Sequence, residues 1–98
     1  MTRQELQQWV DQVNKIIFKQ SSLNKPRLFI GKGRKYIKIW DKHGIFAFVR
    51  SSDGAIFKPK DKKTPMLNYI RGSIYDPDVS KSVNRYGVRY INDQQTEN

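Results

Sequence analysis

The feature that most constrains the fold is the apolar run Ile-Phe-Ala-Phe-Val at residues 45–49, within Gly-Ile-Phe-Ala-Phe-Val-Arg at 44–50. Residues 41–44 (Asp-Lys-His-Gly) precede it and residues 51–54 (Ser-Ser-Asp-Gly) follow it, and both end in a glycine that can adopt a positive φ. Two such turns around one strand predict an antiparallel meander with this strand in the middle. The predicted strands are residues 27–30, 36–40, 45–50 and 55–58.

The predicted middle strand has two apolar faces. Ile45, Ala47 and Val49 should point to one side of the sheet, and Phe46 and Phe48 to the other. One helix can cover only one side. The other side must be covered in one of two ways. A second copy of the chain would cover it in a homodimer, which is the alternative we favour. Otherwise, apolar residues of the C-terminal third would cover it: Val79, Val83, Val88, Tyr90 and Ile91.

The first twenty residues predict one amphipathic helix. Thr2 can cap its start, and Glu5 stands three positions later, as a capping box requires. Apolar residues recur at helical spacing and form one stripe: Leu6, Trp9, Val10, Val13 and Ile17. Pro26 marks the break before the chain changes to the period of a strand.

The C-terminal third is less regular. We expect loops and short strands over residues 59–92, with an exposed basic loop at residues 59–65, a short edge strand at 71–75 and a final strand at 86–91. Asp76-Pro77-Asp78 suits a turn, or a short helix that starts at Pro77. Residues 93–98 are predicted to form a frayed tail. The chain is therefore predicted to be one α+β domain over residues 1–98, an N-terminal helix (1–20) on a small antiparallel meander (27–58).

Composition removes several classes of function. The chain has no cysteine, which excludes disulfides and thiolate chemistry and fits a reducing compartment. No apolar run is long enough to span a membrane, and the first residues lack the apolar core of a signal peptide. We expect a soluble protein with no membrane partner.

The sequence offers no constellation typical of catalysis. His43 is the single histidine and lies in a predicted hairpin loop, so it has no partner for zinc binding or nucleophile activation. Asp76 and Asp78 resemble a Mg²⁺ pair, but turn chemistry explains them more simply. The segment 31–35 (Gly-Lys-Gly-Arg-Lys) precedes a strand, whereas a nucleotide-binding loop precedes a helix. We therefore expect no enzyme activity, no metal and no cofactor.

The distribution of charge indicates the class of partner. The net charge is +10, and no acid occurs between Asp11 and Asp41. That stretch carries eight cations: Lys15, Lys19, Lys25, Arg27, Lys32, Arg34, Lys35 and Lys38. Such a field attracts polyanions, of which nucleic acid is the most abundant, without reading its sequence.

Nine cations are the predicted phosphate contacts. Six belong to the acid-free stretch and three to the later basic loop: Lys25, Arg27, Lys32, Arg34, Lys35 and Lys38, then Lys60, Lys62 and Lys63. Tyr36 and Trp40 alternate with the cations of the second predicted strand. Their rings would either stack on bases or anchor a protein interface, or else belong to the core, which is where we favour placing them.

The central segments resemble a viral protein family. Residues 44–50 and 53–59 (Asp-Gly-Ala-Ile-Phe-Lys-Pro), then Pro65 and residues 71–74 (Arg-Gly-Ser-Ile), are similar to a pattern in small, basic, largely uncharacterised proteins of giant DNA viruses of amoebae and of bacteriophages. Arg50 and Pro59 depart from it, since an acid and an alanine are common there.

The resemblance implies a virion-packaged component and assigns roles to four positions. Gly54 and Gly72 would be needed for backbone geometry. Lys58 and Arg71 would be partners in buried pairs or phosphate contacts.

Together these observations predict a non-catalytic viral protein that binds DNA or RNA without sequence specificity. We expect it in the virion and, during infection, in the host cytoplasm or nucleus. The alternative is a structural module whose positive face meets an acidic capsid or host protein, with Tyr36 and Trp40 as anchors.

Overall fold

The computed structural model describes residues 1–90, and it has the predicted α+β architecture. Five antiparallel strands lie in the sheet in their chain order, so β3 is central as expected. The elements are α1 (Arg3–Ile16), β1 (Leu28–Ile30), β2 (Tyr36–Asp41), β3 (Gly44–Arg50), β4 (Ala55–Phe57), β5 (Gly72–Ser73), a 3₁₀ helix (Val79–Lys81), β6 (Val83–Asn84) and β7 (Gly87–Val88). The last two strands form a separate hairpin.

The start of α1 confirms the predicted capping box. The Thr2 hydroxyl accepts from the Glu5 amide at 3.1 Å, and the Thr2 amide donates to the Glu5 carboxylate at 2.7 Å. The Thr2 amide and the Tyr75 hydroxyl both donate to the Glu5 carboxylate, and these two bonds hold the pKa of Glu5 below its usual value.

The predicted end of the helix at residue 20 is wrong. The helix ends at Ile16, and Lys19 adopts a left-handed φ of 53° while the Gln20 amide donates to the Asn14 carbonyl. Phe18 leaves the helix and packs edge-on against Phe46, with ring centroids 6.0 Å apart. The helix therefore ends where Phe18 packs on the sheet, ten residues before Pro26.

A β-bulge in β3 changes the predicted faces of the middle strand. Ile39 is opposite Ala47, but Trp40 is opposite Ile45, so Phe46 is an extra residue. Phe46 consequently joins Ala47 in the core beneath α1, and Ile45 packs on the opposite side. The prediction that Phe46 shares a face with Phe48 is wrong for this reason.

The main core lies on the side of the sheet that faces α1, called here the inner face. The helix stripe packs there with residues from the strands and from the C-terminal third: Leu6, Trp9, Val10 and Val13, then Leu28, Ile39, Val49 and Ile56, then Ile74, Val79, Val83 and Val88. The three valines that were predicted to cover the face away from the helix therefore pack on the inner face instead, because β7 contacts β3 on the side of the sheet where α1 lies.

The opposite, outer face has its own small apolar cluster. Phe48 and Phe57 are 1% and 2% exposed within a single chain, and the Tyr36 ring meets Phe57 edge-on at 5.6 Å. The homodimer remains a prediction, but these two rings do not need a second copy to bury them.

The remaining C-terminal predictions differ in detail. The edge strand is only Gly72–Ser73, and the short helix begins at Val79 with Asp78 as its cap, not at Pro77. The predicted final strand is present as Gly87–Val88, where Gly87 has a φ of 134° and pairs with Asn84 in a tight hairpin. The predicted tail lies outside the described residues.

A buried amide joins α1 to the edge of the sheet. Asn14 is fully buried, its Nδ2 donates to the Leu28 carbonyl at 3.1 Å, and its Oδ1 accepts from the Leu28 amide at 2.8 Å. Among the strands of residues 1–90, β1 is at the edge of the sheet, so these backbone groups of Leu28 face no other described strand. Asn14 thus supplies the two hydrogen bonds that a further strand would make.

We predict that Asn14→Leu lowers the free energy of unfolding by about 2 to 4 kcal/mol, because both backbone groups of Leu28 lose their partner. Chemical denaturation measures the change. Gln12→Leu, the same exchange at an exposed position of the helix, is the control and should change stability far less. Equal effects at the two positions would contradict the role of Asn14.

The turn between β3 and β4 contains an ion pair. Arg50 donates from Nε and Nη2 to the two carboxylate oxygens of Asp53, at 3.0 and 2.7 Å, and the Ala55 amide donates to Asp53 as well. These bonds lower the pKa of Asp53 to about 2.

The depressed pKa predicts a pH dependence of stability. A carboxylate with a lowered pKa stabilises the fold above the unfolded value of about 4 and loses that contribution as the pH falls toward 2. Wild type should therefore be more stable than Asp53→Asn at neutral pH, and thermal melts should show the difference shrinking below about pH 4. A difference that stays constant down to pH 2 would contradict this account.

Candidate nucleic-acid interface

The outer face of the sheet carries rows of aromatic and basic side chains. The strand register sets three rows across it: Phe29, Trp40 and Ile45; Lys38, Phe48 and Phe57; Tyr36 and Arg50. Side chains directly opposite on neighbouring strands have Cβ atoms about 5 Å apart, so the neighbours within each row are close enough to contact each other.

The two halves of the outer face differ in exposure. Over β3 and β4 the rings of Phe48 and Phe57 are buried, and the Arg50 guanidinium lies 5.3 Å from the centre of the Phe57 ring. Over β1 and β2 the face is more open, since Phe29 is 48% exposed and Trp40 is partly exposed. We call this second part the open half.

Four predicted cations lie in the β1–β2 loop or on β2 itself. Lys32, Arg34 and Lys35 are exposed in the β1–β2 loop, and Lys38 lies on β2 with its ammonium 6.0 Å from the centre of the Trp40 ring. The Lys35 ammonium is 5.7 Å from the Tyr36 ring. Residues 1–90 form two ion pairs, Arg27–Asp41 and Arg50–Asp53, so no carboxylate in that range neutralises these four.

The β1–β2 loop is held close to the sheet by its backbone. The Gly31 amide donates to the Lys38 carbonyl at 2.7 Å, and the Lys38 amide donates to the Lys32 carbonyl at 3.1 Å. A Cβ at Gly31 would overlap the indole of Trp40, which therefore lies directly over the glycine backbone. This contact places Trp40 beside the basic loop. The strand that follows the loop also confirms that it lacks the strand–loop–helix setting of a nucleotide-binding loop.

Tyr36 and Trp40 are neither fully buried nor fully exposed. Tyr36 packs against Phe57, which favours the core role predicted for it, whereas Trp40 packs on Gly31 at the edge of the open half. The sequence analysis missed Phe29. Its position between Leu28 and Ile30, which both belong to the inner core, was the signal, because alternation places the middle residue on the opposite face.

Arg27 has a structural role that the sequence did not indicate. Its Nε donates to Asp41 at 2.7 Å, its Nη2 donates to the second carboxylate oxygen at 3.3 Å, and its guanidinium lies 4.6 Å from the centre of the Phe18 ring. Arg27 thus ties the chain after α1 to β2, and we leave it out of the proposed interface.

The structure does not bring the other predicted contacts into the same cluster. Lys25 is exposed in the segment between α1 and β1. The β1–β2 loop lies at the end of the sheet where β3 ends, because the Ser51 amide donates to the Lys35 carbonyl. Strand β4 runs antiparallel to β3, with Phe57 opposite Phe48, so the chain after Phe57 leads to the other end of the sheet. Three exposed lysines lie in that distal loop, Lys60, Lys62 and Lys63, where Asp61 accepts bonds from two loop amides.

The positions named through the viral resemblance have structural roles. Gly54 has a φ of 77°, which fits the backbone-geometry role predicted for it. Gly72 has no such φ, and it is needed for close packing instead, because a Cβ there would overlap the Ser82 side chain. The Lys58 ammonium donates to the Val88 carbonyl at 3.0 Å, and the buried Arg71 donates to the Arg89 carbonyl at 2.9 Å. Both cations thus anchor the hairpin strand β7 and the residue after it.

The acids of the described residues lie mostly away from the open half. Glu5 and Asp11 are on α1, and Asp76 and Asp78 precede the 3₁₀ helix, with the Tyr75 hydroxyl joining that region to Glu5 at 3.0 Å. Asp76 and Asp78 accept local backbone bonds, as a turn predicts. No group of three or more potential metal ligands occurs within residues 1–90, and no helix in that range is long and apolar enough to cross a bilayer.

Comparison with known proteins gives no relative: no protein-family model matches the chain, and no curated protein or solved structure is significantly similar to it. The site must therefore be interpreted from its own residues.

We predict that Arg27→Gln and Lys32→Gln differ although both remove one positive charge. Arg27→Gln should lower the free energy of unfolding by about 1 kcal/mol, because it breaks a partly buried ion pair. Lys32→Gln should leave the free energy of unfolding unchanged. It should reduce the slope of log affinity against log salt concentration by about 1, the amount expected for one lost phosphate contact. The reverse pattern in denaturation and binding titrations would contradict the assignment.

Proposed function

We propose that this protein is a non-catalytic binder of nucleic acid without sequence specificity, and that the open half of the outer face is its contact surface. The observation that carries the proposal is the set of four cations, three in the β1–β2 loop and one on β2, that lack a carboxylate partner within residues 1–90: Lys32, Arg34, Lys35 and Lys38.

The chemistry of these side chains explains the absence of sequence specificity. Ammonium and guanidinium groups neutralise phosphates, which are the same at every nucleotide, and release the counterions bound to them. DNA and RNA both satisfy this chemistry. Four phosphate contacts predict a slope of about −3 in a plot of log affinity against log salt concentration.

The remaining predicted cations fit a supporting role. Lys25 and the distal loop with Lys60, Lys62 and Lys63 are exposed and lie outside the cluster. They raise the long-range attraction of a chain whose net charge is +10, and they would contact phosphates only when the ligand extends past the open half.

We predict that the triple variant K32Q/R34Q/K35Q binds a mixed-sequence oligonucleotide at least about tenfold more weakly than wild type, with a salt slope reduced by about 2 to 3. Fluorescence anisotropy at several salt concentrations measures both quantities. The control variant R3Q/K15Q/K81Q removes the same charge from exposed sites on α1 and the 3₁₀ helix and should keep the wild-type slope.

Two results would contradict the proposal. The first is a wild-type protein that binds no oligonucleotide even at low salt. The second is an equal loss of slope in both triple variants, because the whole net charge and not the loop would then determine binding.

The alternative function is an interaction module for an acidic capsid or host protein. The exposed ring of Phe29 favours it, because exposed aromatic side chains among cations also occur in protein interfaces. Affinity purification with and without nuclease separates the two: a partner that survives nuclease supports the alternative, and one that is lost supports nucleic-acid binding.

The viral setting is a proposal that rests on the sequence resemblance. Packaging in the virion, and presence in the host cytoplasm or nucleus during infection, are tested by mass spectrometry of purified particles and by imaging of infected cells.

A further inference from the structure

We infer that the open half selects single-stranded over double-stranded nucleic acid by stacking bases on Phe29 and Trp40. The inference rests on the proposed function and adds the class of ligand to it. Phe29 is absent from the charge-based prediction, and its position beside Trp40 comes from the strand register.

The first observation is an apolar row on the same face as Lys38 and next to the basic β1–β2 loop. Phe29, Trp40 and Ile45 are direct cross-strand neighbours on β1, β2 and β3, and none of the three is fully buried. Phosphate groups make no favourable contact with such an apolar row. Nucleic-acid bases can stack on its aromatic rings, and stacking stabilises a bound base whatever its identity.

The second observation is that the row is ordered before any ligand arrives. The indole of Trp40 lies on the backbone of Gly31, and the Lys38 ammonium is within range of a cation–π contact with the same ring. Phe29 is fixed to edge strand β1, which Asn14 ties to the helix through Leu28. A preordered surface loses little conformational entropy when it binds.

The third observation is the closeness of rings and cations. Lys38 is one row from Trp40, and the loop that carries Lys32 bonds to Lys38. A single strand can therefore turn its bases to Phe29 and Trp40 while its phosphates meet the loop. In a duplex the bases are paired and stacked inside, so only the cations have a partner.

The test compares a thymidine oligonucleotide with a hairpin duplex that has the same number of phosphates, using anisotropy at one salt concentration. Wild type should bind the single strand at least about fivefold more tightly, which corresponds to stacking of one base. Phe29→Ala should remove most of that preference and leave duplex affinity within about twofold, because no charge changes. The control Tyr86→Ala removes an even more exposed ring, 89% exposed, from the β6–β7 turn and should have no effect.

Trp40 gives a second, spectroscopic test. Binding of the single strand should quench indole emission in a Trp9→Phe background, which removes the other, buried tryptophan. Trp40→Phe in the wild-type background should keep most of the single-strand preference, because a ring remains, whereas Trp40→Leu should lose it. Circular dichroism confirms that each variant folds.

The outcomes separate this inference from the proposed function. If wild type binds single strand and duplex equally and K32Q/R34Q/K35Q weakens both, electrostatic binding stands and stacking is wrong. If neither ligand binds, both proposals fail. If Phe29→Ala weakens single strand and duplex alike, Phe29 supports the shape of the surface and does not stack, which also overturns the inference.

Discussion

The extra residue in β3 determines how this small domain uses the two faces of its sheet. Because Phe46 is bulged, it turns into the inner core with Ala47, while Ile45 moves to the outer face beside Trp40. On the inner face, Phe46 thus belongs to the one core on which both α1 and the β6–β7 hairpin pack. The outer face is left with two buried phenylalanines over β3 and β4 and with a more open surface over β1 and β2.

The division of the faces also separates the charges. Among the acids of residues 1–90, Asp41 is paired with Arg27 and Asp53 with Arg50. The others lie on α1, before the 3₁₀ helix or, for Asp61, in the distal loop. Within residues 1–90, no carboxylate therefore forms an ion pair with the cations of the β1–β2 loop. This arrangement is the basis of the proposed polyanion binding, because surface cations that neutralise phosphates release the counterions bound to them.

Local signals in the sequence predicted much of the fold, and long-range packing decided the rest. Thr2 and Glu5 define the start of the helix, and Gly44 and Gly54 have the positive φ that their turns require. The bulge at Phe46 could not be predicted from alternation, because it depends on how β3 meets Trp40. For the site, the basic β1–β2 loop could be predicted from the sequence. The ion pair that Arg27 forms with Asp41, and the separation of the Lys60 loop from the β1–β2 loop, could not be, because both depend on the strand register.

The most direct test of the account is a backbone amide NMR titration of the folded protein with a short thymidine oligonucleotide. We expect the shift changes to concentrate at Phe29, Lys32–Lys35 and the β2 residues Lys38 and Trp40, and to weaken with added salt. The amides of α1 and the β6–β7 hairpin should move little. Changes centred on α1, or on the loop that carries Lys60 with no change at Phe29 and Trp40, would contradict the assignment of the open half as the binding surface.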